Sequence, residues 1–432
     1  MKNEGKKMTR VNVLACFFTI AALGVVRADE QQDLLQTASD EGQKIPDREK
    51  ALVKAAAIEL TKPAPHDGPY RNAVGELLAK LARHVKEPEY TQLIQRTFRA
   101  LEPIRPVADL GPRVKPFLAP EAPDLIRGDA LRAIALHGAS GVGKEIKAVF
   151  AEKIADQGAL MRLQVAAVEA AAVLPPAEAL PVLQVAVTPG HPTSTRLLAV
   201  RALGKLKDPV SLAELKTTAL ATEPMEDIAY AAALELARRG ALDGLAEFIK
   251  RLKGNPTARL YQRVCALSYH GDGFAGVPPT KWNSIDPSGQ EGVLGAINEW
   301  WASATPLGAD GVLMRTLSEK GLKVPKNPND KEFVAVLLEA LDLEPRSLRY
   351  AAYDLVVKKT GQQKEWDKDW KNLKTGIGAA TLMEGEPADG FADAKRANAL
   401  REQQRVAAAK WRQWWAEVSE KAQLVDGVWV VR

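Results

Sequence analysis

Apolar residues recur every three or four positions along most of this chain, the period of a helix that buries one face. Asn72 to Arg83 sets Val74, Leu77, Leu78 and Leu81 on one side, and Tyr90 to Leu101 does the same with Leu93, Ile94, Phe98 and Leu101. Residues 29–62 predict helix, turn, helix, with Pro46 opening the second; proline is tolerated there because a first-turn N–H has no intrahelical acceptor. Residues 63–69 are a break, and residues 103–124, with six prolines and little periodicity, predict a linker or an irregular wrap. Leu400 to Val418 predicts a long amphipathic helix, and Val428 to Val431 a short strand.

Between about 123 and 270 the pattern becomes self-similar. The segments beginning at Asp129, Val165, Leu198, Tyr230 and Tyr261 align on Ala130, Ala167, Ala199, Ala232 and Arg263, with steps of 37, 32, 33 and 31 residues. Pro175-Pro176, Lys207-Asp208-Pro209 and Arg239-Gly240 are turns inside these units; Pro189 to Pro192, Glu223-Pro224 and Gly254 to Pro256 separate them. One helix pair has too little area to bury its own apolar face, so a period in the thirties implies stacked neighbours. Small residues such as Ala133, Ala170 and Ala202 allow close approach of the helices.

Arg196 to Pro209, with the run Leu-Leu-Ala-Val-Arg-Ala-Leu-Gly-Lys-Leu between its first arginine and Lys207, resembles the first helix and turn of a HEAT repeat of the lyase-type HEAT-like variety. The resemblance extends over residues 123–270 and more faintly to 70–101 and 345–360. In the C-terminal third, a repeat-like helix at 260–267 is followed by His270-Gly-Asp-Gly-Phe274 and a helix ending in Trp300-Trp301. A second such helix at 348–357 is followed by Thr360-Gly361-Gln362 and a helix ending at Trp411 to Trp415, with an inserted loop around 384–391. That layout is similar to exported HEAT-repeat proteins of environmental bacteria, with the armadillo-type fold. The resemblance implies an α-α superhelix and protein binding, and it carries no catalytic residue.

Composition agrees: alanine and leucine, strong helix formers, dominate, and aromatics are 6% of 432 residues. The start of the chain is separable. Lys2, Lys6, Lys7 and Arg10 precede an apolar run from Val11 to Val26, then Val26-Arg27-Ala28, which predicts a secretory signal peptide cleaved after Ala28. The run is shorter than a bilayer span of roughly 20 residues, which argues against an uncleaved anchor. It also continues past Cys16, against a lipoprotein box at Val13 to Cys16. Residues 1–28 hold five of the 59 Lys and Arg and one of the 54 Asp and Glu, so the formal +5 falls to +1 without them. A near-neutral chain gives no electrostatic reason to expect nucleic acid. Cys265 is the only cysteine left, so the mature chain has no internal disulfide.

Chemistry is sparse. Gly138-Ala-Ser-Gly-Val-Gly-Lys144 fits seven positions of a phosphate-binding loop, but Glu145 stands where a magnesium-binding Ser or Thr belongs, and the preceding element is a helix rather than a strand. The simpler reading is a turn with Gly138 as left-handed helix cap. None of His66, His84, His137, His191 and His270 pairs with another at metal-ligand spacing, although Cys265, His270 and Asp272 could meet through a loop. All nine tryptophans lie from Trp282 onward. Trp411, Trp414 and Trp415 share a helical stripe, which predicts core packing; with Trp300 and Trp301 they are also the candidate partner-binding residues, as an aromatic platform. Lys358, Lys359, Lys364, Lys368, Lys371 and Lys374 alternate with acids and predict a solvated surface.

The sequence therefore predicts an all-α fold, an α-α superhelix (HEAT-like solenoid) with a Trp-rich helical C-terminal module. Its divisions are a signal peptide at 1–28, an N-terminal helical region with a Pro-rich linker at 29–122, repeats at 123–270 and the Trp-rich region at 271–432. The expected function is a non-enzymatic, exported scaffold for protein–protein interaction, periplasmic or extracellular. The alternatives are an envelope-associated polysaccharide binder and an accessory subunit of an exported catabolic complex. No cofactor, metal, nucleic-acid partner or membrane span of the mature chain is expected.

Overall fold

A computed structural model describes residues 29–62, 68–102, 109–206, 208–221, 225–343, 346–362 and 394–431. These are mostly helical, with two short strands, and none of their helices is long and apolar enough to cross a membrane. The expected signal segment, His66, Trp366 and Trp370 lie outside the described residues. The chain divides into two compact units, one ending at Glu214 and one beginning at Leu215. That boundary falls inside the 123–270 array expected from the period.

The first unit opens with α1 (29–39), α2 (Ile45–Leu60), α3 (Pro69–Leu81), α4 (Thr91–Leu101) and α5 (Leu110–Val114). It continues with α6 (Asp124–His137), α7 (Gly143–Ala148), α8 (Gln157–Ala171), α9 (Pro176–Ala186), α10 (Thr193–Lys205) and α11 (Pro209–Glu214). Even-numbered helices stack in one layer: α2 on α4, α4 on α6, α6 on α8, α8 on α10. The odd-numbered helices lie against them, and α7 packs on α9. Residues 109–122 depart from the expected linker. Leu110, Val114, Phe117 and Leu118 are buried across α5 and the 3₁₀ turn Lys115–Leu118, which packs on α6. Prolines 112 and 116 hid this helical spacing, yet each sits near the start of its short element, where proline is compatible.

The stacked layer has a fixed burial code. In α4 the buried residues are Leu93, Ile94, Thr97, Phe98, Ala100 and Leu101. In α8 they are Leu163, Gln164, Ala167, Val168, Ala170 and Ala171, and in α10 Thr195, Arg196, Ala199, Val200, Ala202 and Leu203. Ile126, Arg127, Ala130, Leu131, Ala133 and Ile134 of α6 occupy the same six positions. This doubled i, i+4, i+7 spacing gives each helix a broad buried face with a neighbour on either side. Alanine at the seventh-residue step keeps the side chains short between neighbours.

The second unit begins with the π-helical segment Leu215–Ala221, on which α12 (Glu226–Arg238) packs, followed by α13 (Asp243–Gly254) and α14 (Ala258–Leu267). Then come α15 (Pro287–Ala304), α16 (Gly308–Glu319), α17 (Lys331–Ala340), α18 (Arg346–Thr360) and α19 (Ala394–Val418). The six-position code recurs in α12 and, from Leu348 to Val356, in α18. The expected strand is present as β2 (Val428–Val431), antiparallel to β1 (Ala422–Val425). Asp426 and Gly427 turn the hairpin with φ of 50° and 78°, the positive values that a two-residue connection needs.

Arg127, Arg196 and Arg349 occupy the second position of the code, Arg48 holds the matching place in α2, where only four of the six positions are buried, and all four arginines are buried. Arg48 donates from Nε to the Ala38 carbonyl (2.9 Å), Arg196 from Nε to Val187 (3.0 Å) and Arg349 from Nη1 to Leu343 (2.9 Å). Each acceptor lies at the end of the preceding helix or just beyond it, where carbonyls lack intrahelical donors and the helix dipole favours a cation. Arg127 instead holds Glu152 through Nη1 (2.7 Å) and Nη2. Replacing Arg127 by Met strands Glu152, and a loss of about 3 kcal/mol is expected. Urea unfolding followed by far-UV circular dichroism measures it, and adding Glu152→Met should recover part of the loss.

Candidate functional site

The glycine-rich loop does bind an anion, and the anion is the protein's own. α6 ends at His137, and Gly138 follows with φ 73° and ψ 160°, a positive φ but not the left-handed helical conformation expected of the cap. Gly141 (φ 77°), Val142 and Gly143 then aim their N–H groups at the Glu178 carboxylate, at 2.9, 3.1 and 3.0 Å. A Cβ at Gly143 would come within 2.9 Å of the Glu178 Cβ, so only glycine lets α9 approach this closely. The backbone N–H of Gly141 is the main cause holding the Glu178 carboxyl below its ordinary pKa. Glu145 pairs with Lys115 (2.8 Å). The resemblance to a phosphate loop is thus one of backbone shape, filled by a carboxylate from the first turn of α9.

Cys265, His270 and Asp272 do not converge. Cys265 is buried beside Tyr261, and burial pushes its thiol pKa up, away from the reactive thiolate. Asp272 pairs with Lys320. His270, also buried, meets the Ser268 carbonyl oxygen with Nδ1 (2.9 Å) and Glu319 with Nε2 (2.9 Å). The bond to His270 is the main cause lowering the Glu319 pKa. The loop between α14 and α15 that presents His270 is tightly constrained: Tyr269 and Ala275 have φ of 64° and 51°. Tyr261 closes it by accepting from the Phe274 N–H (2.7 Å) and donating to the Val277 carbonyl (2.6 Å). Among the described residues no group of three or more His, Cys, Asp or Glu is arranged to hold a metal ion.

The candidate tryptophans divide by exposure. Trp300 is buried, with ring centroids 5.1 Å from His270 and 5.5 Å from Phe274, while Trp301 beside it is half-buried. Trp411 and Trp415 are buried with Phe333, Leu337, Tyr353 and Trp429, whereas Trp414 packs on that core and keeps part of its surface in solvent. Trp414 meets Trp411 edge-on at 5.3 Å. A buried indole has no face to offer a ligand, so only Trp301 and Trp414 of the five are placed to contact one.

His84 and His191 are packing groups. His84 stacks on Tyr90 at 4.0 Å and contacts Glu87, and His191 meets Phe150 edge-on at 5.4 Å. Lys358 and Lys359 lie near Asp310, at 3.7 and 3.4 Å, and Lys359 is buried with Asn329 as a hydrogen-bond acceptor at 3.0 Å; Lys364 and the lysines after it lie outside the described residues. No protein-family model matches the sequence, and no curated protein is detectably similar to it.

Acid should weaken the first unit in two stages. Burial lowers the pKa of His137 and His191 from 6.5, so both favour the neutral ring in the fold, and protonation near pH 6 is destabilising. Substituting both by Gln should flatten the melting temperature between pH 7.5 and 5. The Glu178 contribution persists above an unfolded-state carboxylate pKa of ~4.3 and is lost as pH falls through its lower folded value. Glu178→Gln should cost about 1–2 kcal/mol at pH 7. Circular-dichroism melts should show that gap closing below about pH 4.

Proposed function

We propose that this chain is an exported, non-enzymatic helical-repeat scaffold of the HEAT kind that holds a protein partner. The observation that carries the reading is the six-position burial code shared by α4, α6, α8 and α10, each stacked on the next. On this reading the first unit is an α-α superhelix, in which every helix pair contacts only its neighbours and leaves a long surface for recognition. The Trp-rich helices of the second unit form a separate module. The loop chemistry supports it: Glu178, Asp272 and Glu319 are each engaged by groups of the chain itself.

Residues 1–28 direct export on this reading, and N-terminal sequencing of the secreted chain should begin at Asp29. Photo-crosslinking in cells, with probes on the exposed helix faces, should yield a discrete protein adduct that co-purifies at fixed stoichiometry. A second reading, polysaccharide binding, is favoured by the half-buried Trp301 and Trp414. Retention on envelope polysaccharide that Trp414→Ala abolishes, with the melting temperature unchanged, would replace the protein-scaffold reading.

A further inference from the structure

Lys359 lies in the last turn of α18 with its side chain only 7% exposed. Its amine donates to Asn329 Oδ1 at 3.0 Å, and Asp310 Oδ2 stands 3.4 Å from the same nitrogen. These groups come from separate parts of the second unit: Asp310 from the first turn of α16, Asn329 from the loop before α17, and Lys359 from α18. The loop holds Asn329 in place through the backbone. The Asn329 N–H donates to Asn327 Oδ1 (3.0 Å), and the Asp330 N–H donates to the Asn327 carbonyl (3.1 Å). Tyr269 packs against the adjoining core, where burial first, and Asp354 and Asp310 after it, push its pKa up to about 12.

An amine, a carboxamide and a carboxylate in contact, with the amine withdrawn from water, are the groups that amide exchange requires. We propose that Lys359 and Asn329 join in an intramolecular isopeptide bond, with Asp310 carrying the protons. Asp310 takes a proton from the Lys359 ammonium, and the freed lone pair on Nζ attacks Asn329 Cγ. Cγ lies one C=O bond, about 1.23 Å, beyond the oxygen that Nζ already touches. A turn of the amide brings the two atoms to the roughly 3–3.5 Å of a near-attack contact. The C=O π pair moves onto Oδ1 and returns as the Cγ–Nδ2 bond breaks. Asp310 hands its proton to Nδ2 and takes the second proton from Nζ, which the departing ammonia carries off as ammonium. One C–N bond forms and one breaks, nothing is oxidised or reduced, and no co-reactant is needed. The reaction also removes a buried charge, which is costly to keep, and passes it to water. Lys358, 3.7 Å from Asp310 Oδ1, remains to pair with the carboxylate. The bond closes a loop across a separation of 30 residues and ties α18 to the start of α17. Among the described residues the single cysteine, Cys265, is free, so this link is the cross-link that the second unit can make for itself.

Intact-mass spectrometry of the purified full chain tests it. Measured from the N-terminus found by sequencing, the wild-type mass should fall short of its residue sum by about 17 Da, the loss of one ammonia. A tryptic digest should yield a peptide carrying Asn329 joined to one carrying Lys359. Lys359→Arg, which keeps the buried charge, should restore the full mass. Asp310→Asn should lower the yield of linked chain at a fixed time at least about tenfold. Far-UV circular dichroism checks that both variants fold, and the wild-type mass decides the bond even if neither does. A folded wild-type chain at its full residue mass overturns the proposal. So does a deficit that survives in Lys359→Arg, which places the lost ammonia elsewhere, as in a cyclised N-terminal glutamine. An unchanged yield of linked chain in Asp310→Asn overturns the part given to Asp310.

Discussion

A buried guanidinium keeps its charge, because its pKa lies far above any working pH, and so it must find acceptors without water. In this protein arginines of α2, α6, α10 and α18 carry that demand, and three of the four meet it at the end of the helix before. The carbonyls there need donors for the same reason. One side chain thus satisfies both requirements and ties the start of one helix pair to the end of the last. Hydrophobic burial alone would allow neighbouring helices to slide or rotate by a residue. A directional bond from a fixed position removes that freedom, and the burial code then repeats without drift.

The helices were legible because their code is written in apolar and small residues with a single period. Ala130, Ala167, Ala199 and Ala232 mark it directly, and all four are fully buried. What escaped was whatever depended on polar residues acting as core. The Arg-x-x-Ala spacing at Arg48, Arg127, Arg196 and Arg349 is visible once known, but an arginine counts as surface in any hydropathy pattern. Residues 109–122 were lost for a related reason: their prolines signal irregular structure, while the four apolar residues that pack are too few to establish a period against them.

The candidate site shows the same division. The glycine loop advertised an anion, correctly, but its ligand lies 35 residues or more along the chain, where nothing in the local sequence marks Glu178 as different from any other first-turn glutamate. For the tryptophans, the i, i+3, i+4 stripe pointed to packing, and burial of Trp411 and Trp415 follows from it. Which single indole would stay partly exposed depends on where α17, α18 and the hairpin close over α19, a tertiary fact with no sequence signature.

The placement of the tryptophans has a spectroscopic consequence. All nine lie beyond residue 281, within the second unit, while peptide absorption in the far ultraviolet arises from helices of both. Indole emission therefore originates in the second unit alone, and the helix signal in both. The two signals coincide through an unfolding transition only when the units lose structure together, and their separation measures, without any label or substitution, how far one unit depends on the other for its stability.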